Sequence, residues 1–186
     1  MPTKFLTIVG ALLAVAVLAA PAAAAKERAN ASQECADADI EPAADNLGRV
    51  RDAILCLHNE VRAEHGLPDL RENPKLRKAA TGHSRAMVAD GFFDHTTPAG
   101  VTMVDRILRA RYVRRDQGWA LGENIAWGTG SLSTPRGTVQ AWMRSPGHRA
   151  NILRRNYREL GIGIELGVPV SDAAGATYTV DFGVRR

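Results

Sequence analysis

The sequence predicts an α+β domain, with helices through most of its length and strands near its end. Two observations support this class. From Leu47 onward, apolar residues recur at spacings of three and four, as they do on one face of a helix. From Leu160 onward, the pattern changes to the two-residue alternation typical of strands. The sequence contains no repeat and no second domain boundary, so we expect a single domain.

The first residues predict a secretory signal peptide over positions 1–25. Lys4 supplies a positive charge, Phe5–Ala20 is an uncharged apolar run, and small residues precede Lys26. The apolar run is short for a membrane-spanning helix, which needs roughly 20 residues. We therefore expect cleavage after Ala25 rather than retention as an anchor, giving a secreted, extracellular protein with no transmembrane segment.

Export changes the interpretation of the two cysteines. Cys35 and Cys56 are the only cysteines in the chain, and an even count in an exported protein favours one disulfide over two buried free thiols. The chain-entropy model assigns about 3 kcal/mol of stabilisation to a loop of roughly this size. Residues 26–46 have no apolar repeat, so we expect a loose leader tied down by this disulfide and followed by a domain over residues 47–186.

Five helices are predicted ahead of the strands. The first runs from near Leu47 to near Gly66 and follows the apolar repeat. Three of the other four begin with a capping side chain followed by proline in the first turn, as helix starts prefer. The predicted positions of these four are 73–91, 102–111, 134 onward and 145–153. Two strands follow at 160–166 and 176–184, joined by a turn rich in Gly, Pro, Asp and Ser.

The chain is basic, with a formal net charge of +4 and a pI near 9.4. Its densest group of cations consists of Arg106, Arg109, Arg111, Arg114 and Arg115. Such a cluster could contact anionic wall polymers, lipid head groups or nucleic acid. A solvated helix face and loop is the simpler interpretation. We therefore expect a monomer without a nucleic-acid partner.

Two stretches, 122–128 and 142–153, have the composition of a functional site. Glu123 in the first and His148 in the second stand among tryptophans, glycines and apolar residues. An ordinary solvated surface would carry neither such a pairing of a carboxylate with an imidazole nor so much aromatic bulk. These two side chains are therefore the first candidates for binding or chemistry.

The order of short motifs along the chain resembles the CAP superfamily, which groups cysteine-rich secretory proteins, antigen 5 and pathogenesis-related 1 proteins. Its domain is also called the SCP domain, and the form here is similar to the compact bacterial branch. The motifs are His58–Arg62, Gly66–Pro68, Phe93–His95, Gly122–Asn124, Trp142, Ser145–Arg149 and Leu160–Gly163. The resemblance covers about residues 50 to 186. It implies a three-layer α-β-α sandwich with a central, mostly antiparallel sheet.

The resemblance also implies a shallow cavity whose two histidines and two acidic residues can hold a divalent metal, usually zinc. By motif, His95, Glu123 and His148 match three of these positions, and Ser145 stands where the second acid normally lies. Two imidazoles and one carboxylate with an open fourth position are a ligand set that catalytic zinc uses. Because one acid is missing, we expect at most weak zinc binding. The alternative is that His148 bonds Glu123 and only ties two loops together.

Other candidate residues are expected to be structural. We expect His58 and His65 at the surface or in local pairs, and His83 as a satisfied core histidine. Asn59 and Arg62 are expected to bond backbone groups and anchor packing.

The predicted function is an extracellular binding module. Its cavity and the adjacent groove would hold a lipid, a cell-wall fragment or a protein partner without turnover. The alternative is a metal-dependent extracellular hydrolase of peptides or nucleic acid that uses His95, Glu123 and His148. The missing acid and the lack of a placed general base favour binding, and the resemblance by itself implies no single activity.

Overall fold

The computed structural model describes residues 35–185. The predicted signal peptide and residues 26–34 of the predicted leader lie outside the described residues. The helices are α1 (Leu47–Glu64), α2 (Pro74–Ala89), α3 (Met103–Arg109), α4 (Pro135–Arg144) and α5 (Pro146–Ile152), with a short 3-10 helix at Gly130–Ser133. The strands are β1 (Arg71–Glu72), β2 (Trp119–Gly128), β3 (Glu159–Val168) and β4 (Ser171–Arg185).

The helices begin where local signals in the sequence place them. The side chains of Asn73 and Thr134 accept hydrogen bonds from the first turns of α2 and α4. Thr102 and Asp105 form a reciprocal capping box at the start of α3. Ser145 occupies the cap position of α5, but its side chain makes no capping bond. The predicted hydroxyl cap of α5 is therefore wrong, although the helix begins at the predicted proline.

The four strands form one sheet in the order β1-β3-β4-β2. Both β3 and β2 pair antiparallel with β4, and only the two-residue β1 pairs parallel, with β3. This confirms the predicted mostly antiparallel sheet. The sequence pattern does not predict β2, because Gly122, Glu123 and Asn124 interrupt its alternation. This unpredicted edge strand carries the candidate carboxylate.

One face of the sheet lies directly against the backbone of α2. Gly161 and Gly163 alternate with apolar residues along β3, and a Cβ built at Gly161 would lie 2.0 Å from the backbone nitrogen of Arg77. Glycine is therefore required for this close approach. Helix α3 packs beside α2 through an apolar cluster that contains Leu76, Ala79, Ile107, Tyr112 and Val113.

The main hydrophobic core fills the opposite face of the sheet. It brings Ile54 of α1 and Trp142 of α4 against Ile162 of β3 and Phe182 of β4. Each large apolar side chain buried in this way stabilises the fold by about 1.5–3 kcal/mol. Helices α1 and α4 thus cover one face and α2 and α3 the other, which confirms the predicted α-β-α sandwich.

The predicted disulfide between Cys35 and Cys56 is present, with Cα atoms 5.8 Å apart. It ties residues 35–46 to α1. The backbone N–H of Arg136 also donates to the carbonyl oxygen of Ala38 over 2.8 Å, which joins this segment to α4. Within residues 35–185, no helix combines the length and hydrophobicity needed to cross a membrane.

Asn59 and Arg62 anchor packing as predicted. The Asn59 amide exchanges two hydrogen bonds with the backbone of Leu70, at 2.8 and 3.0 Å. The fully buried Arg62 guanidinium donates to the carbonyl oxygens of Pro68 at 2.9 Å and Ile152 at 2.7 Å. These bonds hold the loop after α1 and the end of α5 in place.

The two histidines of α1 differ in environment. His65 is exposed, as predicted. His58 is fully buried between the rings of Trp142 and Phe182, so its predicted surface position is wrong. The reason is helical spacing: His58 lies four residues after Ile54 and shares its core-facing side.

Candidate functional site

Glu123 is the centre of the candidate site. It lies on β2 with 2% of its side chain exposed, and both of its carboxylate oxygens have partners. His95 Nδ1 donates to Oε1 over 2.8 Å, and Arg106 Nη2 donates to Oε2 over 2.5 Å. The carboxylate is therefore surrounded by one imidazole and one guanidinium group.

Arg106 of α3 organises the loop that carries His95. Its Nη1 donates to the carbonyl oxygens of His95 at 3.0 Å and Val101 at 3.2 Å. Only 8% of Arg106 is exposed, so the predicted solvated role of the arginine cluster is wrong for this member. The other four arginines of the cluster are exposed, as predicted.

The hydrogen bond between His95 and Glu123 changes the titration of both groups. The hydrogen bond that the His95 ring donates to Glu123 is the main cause of the raised pKa of His95. Burial by itself would raise the pKa of Glu123, but the bond from His95 and the charge of Arg106 outweigh burial and lower it. The ionised form of Glu123 is therefore favoured beside the guanidinium cation of Arg106, and the same contact favours the protonated form of His95.

A second acid, Asp181, lies beside Glu123 and was not among the predicted site residues. The two residues are paired in the register of β2 and β4, so their side chains share one face of the sheet. Asp181 is fully buried, and neither of its oxygens has a hydrogen-bond partner in the described part of the chain. Burial, followed by the charge of Glu123, raises the pKa of Asp181 well above its ordinary value. A charged residue between Val180 and Phe182 in an apolar strand is the sequence signal that points to it.

The two remaining histidines lie near this cluster. His83 of α2 is fully buried as predicted, with Nε2 2.9 Å from the carbonyl oxygen of Asp94, and burial lowers its pKa. His148 of α5 has its pKa lowered by burial and then by the charge of His95. The carboxylate of Glu123 bonds His95 and Arg106, not His148, so the predicted tie between His148 and Glu123 is wrong.

The residues present suit a metal ion poorly. Among residues 35–185, no three His, Cys, Asp or Glu side chains form a group that could hold a metal ion. The guanidinium cation of Arg106 forms an ion pair with Oε2 of Glu123, and Ser145 supplies no carboxylate. A divalent ion prefers anionic oxygen or neutral imidazole ligands to a neighbouring cation. The zinc set of His95, Glu123 and His148 stays a prediction.

A small cavity opens in front of His95 and Glu123, with a volume of about 270 Å³. We call it the Glu123 cavity. Its lining residues are His95, Thr96, Thr102, Met103, Val104 and Glu123. Hydroxyl and imidazole groups supply polar contacts, and two apolar side chains supply an apolar surface. Such a mixture suits a ligand with both hydrogen-bonding groups and an apolar face.

Comparison with known proteins agrees with this architecture. The protein YkwD of Bacillus subtilis is 34% identical over 110 residues, which cover 59% of this chain and 40% of YkwD. An extracellular SCP-domain protein from Bacillus anthracis is 30% identical with a TM-score of 0.60, covering 78% of this chain and 44% of that chain. This chain thus spans less than half the length of either relative.

A second solved structure supports the fold alone. An outer surface protein from Borrelia burgdorferi is 20% identical with a TM-score of 0.63, covering 79% of this chain and 100% of that chain. The profile of the cysteine-rich secretory protein family matches residues 55–180, a range that includes His58, His95, Glu123 and His148. With the α-β-α sandwich in place, this match shows that the chain belongs to the cysteine-rich secretory protein family, the CAP family.

Proposed function

We propose that this chain is a secreted binding domain that holds its ligand at the Glu123 cavity without turnover. One observation carries the proposal: both oxygens of Glu123 are engaged, by His95 and Arg106. A general base needs a free lone pair within hydrogen-bond reach of the proton that it abstracts. Each oxygen of Glu123 already accepts one hydrogen bond and only 2% of the side chain is exposed, so a substrate proton has little access to the remaining lone pairs. The lowered pKa of Glu123 also makes it a weaker base.

The same contacts weigh against the alternative, a metal-dependent hydrolase of peptides or nucleic acid. Zinc hydrolysis needs protein ligands around the ion and an open position for water. Both oxygens of Glu123 that an ion would need are already in contact with other groups, Oε1 with His95 and Oε2 with the guanidinium of Arg106. The binding proposal is therefore the better supported of the two.

The lining of the Glu123 cavity favours a cell-wall fragment over the other two predicted ligand classes, a lipid or a protein. The hydroxyls of Thr96 and Thr102 and the ring of His95 can exchange hydrogen bonds with amides and sugar hydroxyls. Met103 and Val104 provide apolar contact. The extracellular description of the Bacillus anthracis protein supports an extracellular site of action.

Calorimetric titration of the mature protein with soluble muropeptides tests this ligand class. We expect binding by the parent protein and a loss of about tenfold or more in the Thr96→Trp variant, because the indole would fill the cavity. Thr129→Trp is the matched control, since Thr129 is also an exposed threonine but does not line the cavity. Absence of binding by the parent, or equal binding by both variants, would contradict the proposal.

A separate measurement tests turnover. The protein is incubated with zinc and either a fluorogenic peptide or single-stranded DNA, and parent, His95→Ala, Glu123→Gln and His65→Ala are compared. We expect no turnover that depends on His95. Cleavage stimulated by zinc, lost in the first two variants and kept in the exposed control His65→Ala, would establish the hydrolase instead.

A further inference from the structure

The end of α5 and the turn that joins it to β3 carry a group of exposed cations. Residues 149–158 contain no aspartate or glutamate and four exposed arginines: Arg149, Arg154, Arg155 and Arg158. We call these four residues the α5 arginine patch. The patch is distinct from the arginine cluster at residues 106–115.

The α5 arginine patch has no acidic partner in the described part of the chain. Other surface arginines pair with carboxylates, as Arg49 does with Asp37, whereas no member of the patch forms an ion pair within residues 35–185. Glu159, the next acid along the chain, is already bonded by Arg185 over 3.2 Å and by Tyr112 over 2.8 Å. The four charges are therefore available to an external anion.

The backbone holds the four arginines along one short stretch. The N–H of Tyr157 donates to the carbonyl oxygen of Arg154 over 3.3 Å, which closes a turn around Arg155. Nη1 of Arg158 donates to the carbonyl oxygens of Arg155 at 2.7 Å and Tyr157 at 2.8 Å. Arg149 lies one helical turn earlier, since its carbonyl oxygen accepts from the N–H four residues later over 3.0 Å. The cations are thus gathered on one part of the surface.

The buried Arg62 of α1 supports this stretch from inside the domain. Its Nη1 donates to the carbonyl oxygens of Ile152 at 2.7 Å and Arg154 at 3.2 Å. Burial, followed by the charge of Arg158, lowers the pKa of Arg62, so the two guanidinium groups are close enough to repel each other. The patch is therefore held by fixed hydrogen bonds, and a bound anion would relieve the repulsion between its charges.

The chemistry of the patch favours repeated phosphate groups. The planar guanidinium group matches the geometry of phosphate with two parallel N–H bonds. Four such groups on one short stretch suit a polymer that repeats a phosphate along its length better than they suit a single small anion.

Two other kinds of polyanion fit the patch less well. A membrane-surface site presents large apolar side chains that enter the lipid. The exposed large apolar residues among residues 35–185 all lie outside 149–158; they are Phe93, Trp119, Trp127, Leu132 and Val170. Single-stranded nucleic acid is bound by stacking of its bases on exposed aromatic rings. Tyr157, the one aromatic residue of 149–158, is fully buried.

We propose that the α5 arginine patch binds a phosphodiester polymer without bases, such as a chain of glycerol phosphates. The guanidinium groups contact successive phosphates, and the polyol units stay in solvent. This inference goes beyond the proposed function, because none of the four arginines lines the Glu123 cavity. A secreted domain held on such a polymer would remain close to cell-wall fragments.

Fluorescence anisotropy of the mature protein with labelled polymers tests this ligand class. The probes are a decamer of glycerol phosphate, a thymidine decamer with the same number of phosphates, and vesicles of phosphatidylglycerol and phosphatidylcholine. We expect the glycerol phosphate decamer to bind at least as tightly as the other two at equal phosphate concentration. Its affinity should fall about tenfold or more between about 50 and about 200 mM salt.

Three results of these titrations would overturn the proposal. Absence of binding, or binding that does not respond to salt, would show that the patch is only a solvated surface. Tighter binding of the thymidine decamer would indicate a nucleic-acid surface, and tighter binding of the vesicles would indicate a membrane surface.

A pair of double variants locates the site. Arg154→Gln with Arg155→Gln removes two charges of the patch and should weaken binding of the glycerol phosphate decamer by about tenfold. Arg109→Gln with Arg111→Gln is the matched control. It removes two exposed arginines on and just after α3, in the helical layer on the other face of the sheet, and should bind like the parent. Equal losses in the two double variants would refute the assignment.

The variant Thr96→Trp separates this inference from the proposed function. It fills the Glu123 cavity and should bind the glycerol phosphate decamer as the parent does. A loss as large as that of the Arg154 and Arg155 double variant would place the polymer in the cavity and overturn the proposal. Failure of muropeptide binding with polymer binding intact would refute the proposed function alone.

Discussion

Replacing His58 with phenylalanine is expected to remove a pH-dependent part of the free energy of unfolding. The His58 ring is fully buried, with its centroid 5.7 Å from those of both Trp142 and Phe182. Its Nδ1 lies 2.8 Å from the carbonyl oxygen of Ile54, and its Nε2 has no partner among the described residues. Burial, with a smaller contribution from the charge of Arg62, lowers the pKa of His58 to about 4.

The magnitude follows from the difference between the folded and unfolded states. In the unfolded chain a histidine has a pKa of about 6.5. As the pH falls from about 6.5 toward 4, the unfolded chain binds a proton that the folded chain excludes, so stability is lost over this window. At 1.36 kcal/mol per pH unit, the loss from His58 amounts to about 3 kcal/mol.

Urea unfolding, followed by tryptophan fluorescence at about pH 7.5 and about pH 4.5, measures this loss. The parent should lose about 2–3 kcal/mol more than His58→Phe between the two conditions, because phenylalanine cannot be protonated. His65→Phe is the matched control. His65 makes the same bond to the carbonyl four residues earlier, also at 2.8 Å, but is exposed, so the parent's pH profile should persist. Parallel losses in parent and His58→Phe would refute the reasoning.

Three further predictions concern stability. Gly163→Ala should destabilise the fold by about 1–3 kcal/mol or more, because the new Cβ would lie 2.2 Å from the backbone of α2. Gly48→Ala is the control: its Cβ would meet nothing within 4 Å, so it should be neutral or stabilising by about 0.5–1 kcal/mol. Equal effects of the two substitutions in thermal unfolding would contradict the role of the close approach at Gly163. Replacing both Cys35 and Cys56 by serine should lower the free energy of unfolding, measured in urea, by about 3 kcal/mol. An unchanged free energy would contradict the expected entropic stabilisation by this disulfide. Asp181→Asn should raise the free energy of unfolding at neutral pH by about 1–3 kcal/mol. The raised pKa of Asp181 gives the parent stability below about pH 3.9 that is lost as the pH rises, and asparagine does not titrate. If the free energy of unfolding of the variant followed the parent's pH profile, this reasoning would be wrong.

Features with short-range signals could be predicted from the sequence. Three examples depend only on residues a few positions apart in the chain: the cap of Asn73, the apolar repeat of α1 and the alternation of β3. Strand β2 could not be predicted in this way. Glu123 and Asn124 are polar residues that are buried only because α3, α5 and β4 surround them.

The site shows the same division. Motif order brought His95, Glu123 and His148 together as candidates. The sequence analysis offered His148 as a hydrogen-bond partner of Glu123, whereas the structure pairs that carboxylate with His95 and Arg106. Arg106 and Asp181 are its neighbours in space, at sequence separations that carry no periodic signal. In the sequence, Arg106 is one of several basic residues.

The sequence by itself determined the helix starts, the disulfide partners and the family of this protein, because cap preferences, the count of cysteines and motif order are properties of the linear chain. Only the tertiary structure decided which groups are neutral, ionised or paired. Burial and proximity set those states. His58 lies inside the core while His65 lies outside it, and Glu123 is paired with Arg106 while neither oxygen of Asp181 has a hydrogen-bond partner among residues 35–185. Both quantities depend on how distant segments pack, since desolvation and Coulomb energies depend on distances in space and not on positions along the chain.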